Sequence, residues 1–304
     1  MTNARMLTRP ASLTEWLARE QARAPFFADS AQHGMAYQPQ PSDLFIAPYA
    51  KCGATWLQQI VHGLRTRGDM HLDDVMRVMP WLEMAHHADI SLDIPQPGGF
   101  RAFKSHLSWT KIPKGGRYIV SFRDSKDALV SYYNFVNGYS WQADSVSITE
   151  FARACYLSHQ GDRWEDSYWG HLVSWWEQRH NPDVLLLCYE GMKADLPAAV
   201  ETIAYFLGIE LDQALLNLVV KRASLDSMTA HRAKSTEPLI QAGETKAGFT
   251  SPGDATATVN TDRVSDYRAQ LPDEVSAEMD AIWQETVEPR TGLASYQALR
   301  EALA

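Results

Sequence analysis

The sequence predicts an α/β fold: a single domain spanning residues 1–304, built on a mainly parallel central sheet flanked by helices, with a P-loop-like loop after its first strand. Three observations lead there. Short apolar runs alternate with stretches of helical periodicity, the pattern of βα units and a parallel sheet. The residues able to do chemistry fall just beyond the predicted strands, where open sheets of this kind bind ligands. The composition, 45% hydrophobic and 21% charged, supports one sizeable core, placed at about residues 40–290, and there is no internal repeat.

Taken in order, residues 12–23 (SLTEWLAREQAR) read as a surface helix capped by Ser12, with Leu13, Trp16 and Leu17 on its apolar side. DLFIAPYA (43–50) reads as a buried strand that runs into the loop PYAKCGATW (48–56). Trp56, Leu57, Ile60, Val61 and Leu64 then recur at helical spacing and predict a helix over 55–67. FRAFKSHL (100–107) and RYIVSFR (117–123) are strand candidates, the second stronger for its apolar, β-branched centre. DSKDALVSYYNFV (124–136) turns helical, with Asp124 as N-cap and Asp127 adding a carboxylate at the positive helix end. Trp169, Leu172, Val173 and Trp176 predict a helix over 165–180 that stops near Pro182. DVLLLCYE (183–190) is another buried strand, and LPAAVETIAYFLG (196–208) a helix ended by Gly208. Residues 229–259 are polar and weakly periodic, too long for an idle connection, and read as a lid or a partly disordered stretch. A last helix, about 272–288, closes the chain.

The net charge of −9 makes nucleic acid a poor partner, so an anionic ligand needs a local cluster of lysine and arginine. Cys52, Cys155 and Cys188 are odd in number and far apart, which fits a reducing, cytoplasmic setting better than a disulfide framework or zinc ribbon. No run of about 18 apolar residues could span a membrane, and MTNARMLTRPASL lacks the apolar stretch of a secretory signal.

The chemistry starts in PYAKCGATW. Backbone N–H groups at a loop-to-helix junction converge on one point, and the helix dipole favours an anion there. Lys51 adds a charge and Thr55 a hydroxyl. A Walker A loop would read G-x-x-x-x-G-K-[ST]. Here the lysine precedes Gly53 and no earlier glycine stands in the loop, so no magnesium ligand is in view. An ordinary strand-to-helix turn with a surface lysine is the plain alternative. Arg123 closes a strand and Ser131 lies two turns inside the next helix; a guanidinium fork and a hydroxyl suit phosphate, although such a pair also occurs without a ligand. Lys104 and His106 point to the same side of their predicted strand and set a cation and a base towards one space. A lone histidine is otherwise structural or solvated. His86 and His87, about 100° apart if helical, read as surface or pocket-lining and not as metal ligands.

Together these segments resemble the cytosolic-type sulfotransferases that use 3′-phosphoadenosine 5′-phosphosulfate (PAPS). That family's phosphosulfate-binding loop reads roughly Y-P-K-S-G-T-T-W, against YAKCGATW here; its histidine strand reads K-T-H, against KSH. Its 3′-phosphate segment reads R-[ND]-P-[KR]-D-x-x-V-S-Y-Y, against RDSKDALVSYY. PWLE (80–83), YEGMKADL (189–196) and SLDSM (224–228) also stand in the family's order, so the likeness runs from about 44 to 230 and on towards 272. The resemblance implies roles position by position. Lys51 stabilises the phosphate oxygen that leaves, and Cys52, Gly53, Ala54 and Thr55 lend donors to the 5′-phosphate. Trp56 stacks by the adenine, Tyr189 contacts it, and Leu225 stands where the family often has phenylalanine beside the purine. His106 is the general base with Lys104 as electrostatic helper, and Arg123 and Ser131 hold the 3′-phosphate.

The sequence departs from the family in places. Cys52 replaces serine and Ala54 replaces threonine, which removes up to two hydroxyl donors but no backbone N–H. Cys52, a thiol at a helix N-terminus beside lysine, is either a small stand-in for serine or a reactive group. The family's late R-K-G-x-x-G-D-W loop is best matched by NTDRVSDYR (260–268), which leaves Arg263 as the nearest guanidinium and Lys246 as its rival. The implied reaction is an in-line sulfuryl transfer from PAPS to a hydroxyl or amine, releasing PAP without a metal, in which positioning and charge stabilisation dominate. MPWLEM, YYNFVNGYSW and SYWGHLVSWW suggest an aromatic-lined pocket for a small, largely apolar acceptor, phenolic or alcoholic. A P-loop-type phosphotransferase using Mg-ATP and a catalytically silent PAP(S)-binding protein are the alternatives.

Overall fold

The computed structural model describes residues 9–69, 75–137, 140–158, 160–161, 164–230 and 269–304. Its sheet has four strands, β1 (Leu44–Ile46), β2 (Ala102–Lys104), β3 (Arg117–Phe122) and β4 (Val184–Cys188), in the order β2-β1-β3-β4. Every pairing is parallel. Alternation along the strands divides the core. Leu44, Ile46 and Ile119 face one side and pack with α2 (Ala54–Arg65); Phe45, Tyr118, Val120 and Phe122 face the other. Between β3 and β4 the chain forms α3 (Ser125–Val136) and α4 (Tyr168–Trp176), whose Leu129, Trp169 and Trp175 cover that second face. After β4 come α5 (Tyr189–Ala194), α6 (Leu196–Leu207), α7 (Gln213–Arg222) and α8 (Leu225–Ala230). Val200, Ile203, Leu215 and Val219 return to the first face.

Local signals hold where the sequence placed them. Ser12 and Asp124 cap their helices through side-chain oxygens, and Gly208 ends α6 with φ 68°. The strand expected over 43–50 and the helix expected over 165–180 are shorter, Leu44–Ile46 and Tyr168–Trp176, and four further boundaries differ, each for a tertiary reason or a bonding one. The first helix, α1, runs over Leu13–Met35, through Pro25 and beyond the expected residue 23. Packing sustains its second half: Ser30 Oγ accepts the His87 N–H at 3.0 Å. A Cβ on Gly34 would lie 2.3 Å from the Leu82 carbonyl oxygen, so only glycine permits that approach. The strand expected over 100–107 stops at Lys104. Pro48 has no N–H with which the β1–β2 ladder could continue, and the His106 N–H turns instead to Glu83 Oε1 at 2.7 Å. Tyr189 opens α5 instead of ending β4. The last long helix is α-helical over Asp273–Ile282, then widens into a π-turn over Trp283–Val287.

His86 and His87 lie in a chain of turns, not on a helix. Beyond the end of α8, the 229–259 segment lies outside the described residues, as do Lys246 and Arg263. Among the described residues no helix is long and apolar enough to cross a membrane.

Candidate active site

All four parallel strands end at one edge, and each hands on a residue there: the loop with Lys51 after β1, Lys104 at the end of β2, Arg123 after β3 and Tyr189 after β4. The first loop turns through two left-handed residues, Lys51 (φ 66°) and Gly53 (φ 107°). A non-glycine residue held there costs about 1–2 kcal/mol. Gly53 has a second constraint, since a Cβ on it would lie 3.1 Å from both Ser121 Oγ and Tyr189 Cδ2. Ser121 donates its hydroxyl hydrogen to the Cys52 carbonyl and so ties the loop to β3. Gly53 is also the N-cap of α2 and supplies no side-chain cap, which leaves the first-turn N–H groups of Ala54 and Thr55 without an intrahelical acceptor. Thr55 is exposed beside them. The Cys52 N–H is not part of this set, because it donates to the Tyr49 carbonyl at 3.1 Å.

Around that helix end the cations gather. Arg123 Nη1 donates to the Lys51 carbonyl at 3.0 Å, and its guanidinium lies 4.6 Å from the Tyr189 ring centre. Tyr168 holds the Arg123 backbone, donating its hydroxyl to that carbonyl at 2.5 Å. Lys51 Nζ stands 4.4 Å from the Phe135 ring centre and Lys104 Nζ 3.7 Å from that of Trp81. Burial, then the charges of Arg123 and Lys104, bring the Lys51 pKa down from 10.5 to about 8. Neither Lys51 nor Arg123 forms an ion pair with a carboxylate among the described residues.

His106 follows β2 and faces the same space. Its Nδ1 lies 2.7 Å from the Pro48 carbonyl, an acceptor, so Nδ1 carries the proton and Nε2 keeps a free lone pair. Burial, with the charge of Lys104 next, pushes its pKa down to about 3 and keeps the ring neutral. Trp81 packs edge-on against it at 5.2 Å. Behind it, Glu83 takes the His106 backbone N–H, and burial raises the pKa of this carboxyl. A second enclosed histidine, His171, lies under the loop with Nε2 3.1 Å from the Ala47 carbonyl and is pushed to about 3 by burial.

The remaining expected residues are less uniform. Trp56 is 6% exposed; it donates Nε1–H to the Ala223 carbonyl at 2.8 Å and packs edge-on against Tyr189 at 5.3 Å. It is therefore a backing wall behind Tyr189 more than an open stacking platform. Ser131 is half-buried inside α3, and the backbone of Leu225 begins α8. The Cys52 thiol is buried against the Ala50 carbonyl, and burial pushes its pKa up to about 12 despite the nearby cations. That environment supports the reading as a small stand-in for serine and not the reactive one. Sequence reasoning gave no individual role to Glu83, Trp81, Phe135, Tyr168 and His171, although all five lie in MPWLEM, YYNFVNGYSW and SYWGHLVSWW, the stretches it offered for an aromatic pocket. For two of them a signal existed in PWLE, whose tryptophan and glutamate both reach His106.

Residues 41–290 match the family model described as a sulfotransferase domain. The chain belongs to the sulfotransferase family. This sulfotransferase is 30% identical to Sulfotransferase 1E1 of Cavia porcellus over 203 residues, which is 64% of this chain and 68% of that protein. It is 26% identical to Sulfotransferase 1C2 of Homo sapiens over 221 residues, 67% and 71% of the two chains. Two solved structures share the fold at 18% identity. Retinol dehydratase in complex with androsterone and PAP has a TM-score of 0.66 over 87% of this chain and 86% of its own. Mouse SULT7A1 with PAP has a TM-score of 0.61 over 84% and 88%. The sulfotransferase is thus a transferase of the sulfuryl group, and its α/β fold is the one its sequence predicts.

Proposed function

We propose that the protein moves the sulfuryl group of PAPS to a hydroxyl or amine of a small, largely apolar acceptor, with His106 as general base and Lys51 at the leaving phosphate oxygen. One observation carries this reading: the Pro48 carbonyl, in the loop that bears Lys51, fixes the His106 tautomer with Nε2 unprotonated. The base and the leaving-group cation are therefore held by the same turn. Cofactor binding falls to the first-turn amides of α2, to Thr55 and to Arg123, with Tyr189 and its backing Trp56 at the purine. Three basic side chains at one helix N-terminus fit a ligand with phosphate at both ends of its ribose.

His106 takes the acceptor proton at Nε2 while the acceptor oxygen or nitrogen forms its bond to sulfur. The bond from sulfur to the phosphate oxygen breaks, and Lys51 meets the negative charge that grows there. A base with a pKa near 3 is weak; burial, the larger cause, persists in the complex, while the smaller lowering by the Lys104 and Lys51 charges is offset by an anionic co-substrate, so occupancy of the site raises it in part. The aromatic faces of Trp81 and Phe135, laid on Lys104 and Lys51, support an apolar acceptor.

The experiment is a melting curve with PAP, with 5′-AMP and with Mg-ATP, followed by transfer of labelled sulfuryl from PAPS to a panel of phenols and alcohols. PAP at about 100 Kd adds about 2.7 kcal/mol and raises Tm, whereas AMP raises it less. A shift with Mg-ATP alone would return the site to the phosphotransferase reading. In the transfer assay His106→Ala keeps PAP binding and loses about 10²–10⁴ in turnover. Turnover near wild type in that variant removes His106 from the role.

A further inference from the structure

Outside the active edge, the described residues contain one place where metal-ligating side chains converge. Asp29 and His33 sit one turn apart on the first helix, and His86 reaches them from the turns that follow Trp81. One ligand atom from each lies within 4.8 Å of the others. We propose that Asp29, His33 and His86 bind a divalent first-row transition ion of the zinc type, which staples the first helix to the 81–89 segment.

The chemistry favours that class of ion. Two imidazoles and a carboxylate are a borderline-soft set suited to Zn²⁺, Cu²⁺ or Ni²⁺, whereas Mg²⁺ and Ca²⁺ take oxygen ligands. The carboxylate presents one oxygen to each ring: Oδ1 is 3.9 Å from His33 Nδ1 and Oδ2 is 3.5 Å from His86 Nε2. Tetrahedral Zn²⁺ with bonds of about 2.0–2.1 Å needs ligand atoms about 3.4 Å apart, so the His86 distance already suits it and the His33 side must close in on the same oxygen. The backbone is held independently of any ion, by Gly34 against Leu82 and by Ser30 on the His87 N–H. Two local changes are needed. The rings are stacked at 3.7 Å, 6° from parallel, and must splay so that both lone pairs meet. His33 Nδ1 must also give up its proton and its 2.9 Å contact to the Asp29 carbonyl. Both rings are about half exposed, 52% for His33 and 51% for His86, so solvent leaves room for both movements, which give up the ring stacking. Water would complete the coordination.

The site has a route to the active edge. The segment it would pin carries Trp81, on Lys104 and His106, and Glu83, on the His106 N–H. An ion here would restrain the support of the proposed base without touching a reacting atom. From sequence, His86 and His87 are ruled out as ligands on the assumption that the pair is helical. The turns remove that geometry and send His87 towards Phe27 at 5.5 Å instead.

The test uses the full chain stripped with chelator. Zinc chloride is titrated by calorimetry, and one equivalent of Cu²⁺ is read by electron paramagnetic resonance. The expected result is one Zn²⁺ per chain, an affinity at least about 10-fold lower in His33→Ala and in His86→Ala, and no change in His180→Ala. The Cu²⁺ spectrum should show two coordinated imidazole nitrogens in the wild type and one in either ligand variant. Hydrogen exchange across 81–89 should slow on adding Zn²⁺. No zinc binding up to about 1 mM, or a nitrogen count and affinity unchanged in both ligand variants, overturns the proposal.

Discussion

Lys51→Met should make the ligand-free protein more stable while removing most of its activity. Folding brings the Lys51 ammonium from water to a place beside Arg123 and Lys104, and its pKa falls from 10.5 to about 8. A drop of about 2.5 units, at 1.36 kcal/mol each, means that burying the charged form opposes folding by about 3 kcal/mol at neutral pH. Methionine has nearly the same volume and no charge, and it inherits the same left-handed backbone at φ 66°, so that strain cancels. The contact with Phe135 loses about 1 kcal/mol of cation–π attraction, which leaves a net gain of about 1–3 kcal/mol. With about 2.1 cal/mol/K per residue of unfolding entropy, a chain of 304 residues turns that into a rise in Tm of about 2–5 °C. The pH dependence is a sharper check. A lysine with a depressed folded pKa opposes folding fully below about pH 8, and the penalty fades as pH rises towards 10.5. The variant's advantage should be largest at pH 7 and gone near the upper limit. Calorimetry at pH 7, 8.5 and 10 reads the first part, and transfer from PAPS should fall by about 10²–10³. A variant less stable than wild type at pH 7 would show that Lys51 is not held against other cations. Undiminished transfer would remove it from the leaving group.

Three further outcomes follow from the same geometry. His62, His106 and His171 have folded pKa values of about 4, 3 and 3, below their ordinary 6.5, so the unfolded chain binds more protons below pH 6.5 and stability falls as pH drops from there towards 4. Each contributes about 2 kcal/mol of loss by pH 5, and urea midpoints that stay flat between pH 6.5 and 5 would contradict their burial as neutral rings. Because burial, the larger cause of the low His106 pKa, persists when the co-substrate is bound, the kcat/KM profile for the acceptor should show no acidic limb as high as 6.5; a limb there would assign the proton to another group. Gly53→Ala places a Cβ against Ser121 and Tyr189 in a left-handed turn and should lose at least about 1–2 kcal/mol together with PAP affinity. Unchanged PAP binding in a folded variant would place the cofactor away from the loop.

The parts of the fold legible in the sequence were those set by neighbours along the chain. Ser12, Asp124 and Gly208 act within one helical turn, and the strands are marked by their own apolar runs. The extension of the first helix to Met35 was not legible, because it depends on Gly34 meeting Leu82, a contact made only after folding. The site divides the same way. Lys51, Lys104 and Arg123 could be placed together from the rule that ligands bind at the carboxyl ends of parallel strands. Which aromatic ring covers which cation, and that Glu83 would reach the His106 N–H, required the three-dimensional path of PWLE and α3. The closeness of His86 to Asp29 and His33 was out of reach for a related reason: adjacent histidines say nothing about a partner on another element.

The active edge collects features that each work against folding. Lys51 is strained, desolvated and close to like charges; α2 begins without a side-chain cap; Arg123 has no carboxylate partner among the described residues. They persist because hydrogen bonds to carbonyl oxygens hold the backbone around them: Ser121 to Cys52, Arg123 to Lys51, and Tyr168 to Arg123. All three unfavourable features are relieved by one kind of ligand, a multiply charged anion placed where the first amides of α2 point. A carboxylate side chain in that position would relieve them permanently and would stabilise the fold, yet it would also compete with the phosphates. Leaving Lys51 and Arg123 without one keeps their full charge for the proposed co-substrate and for the charge that would develop as its sulfuryl group departs, so the instability that the Lys51→Met comparison should reveal and the rate it should lose have one physical origin.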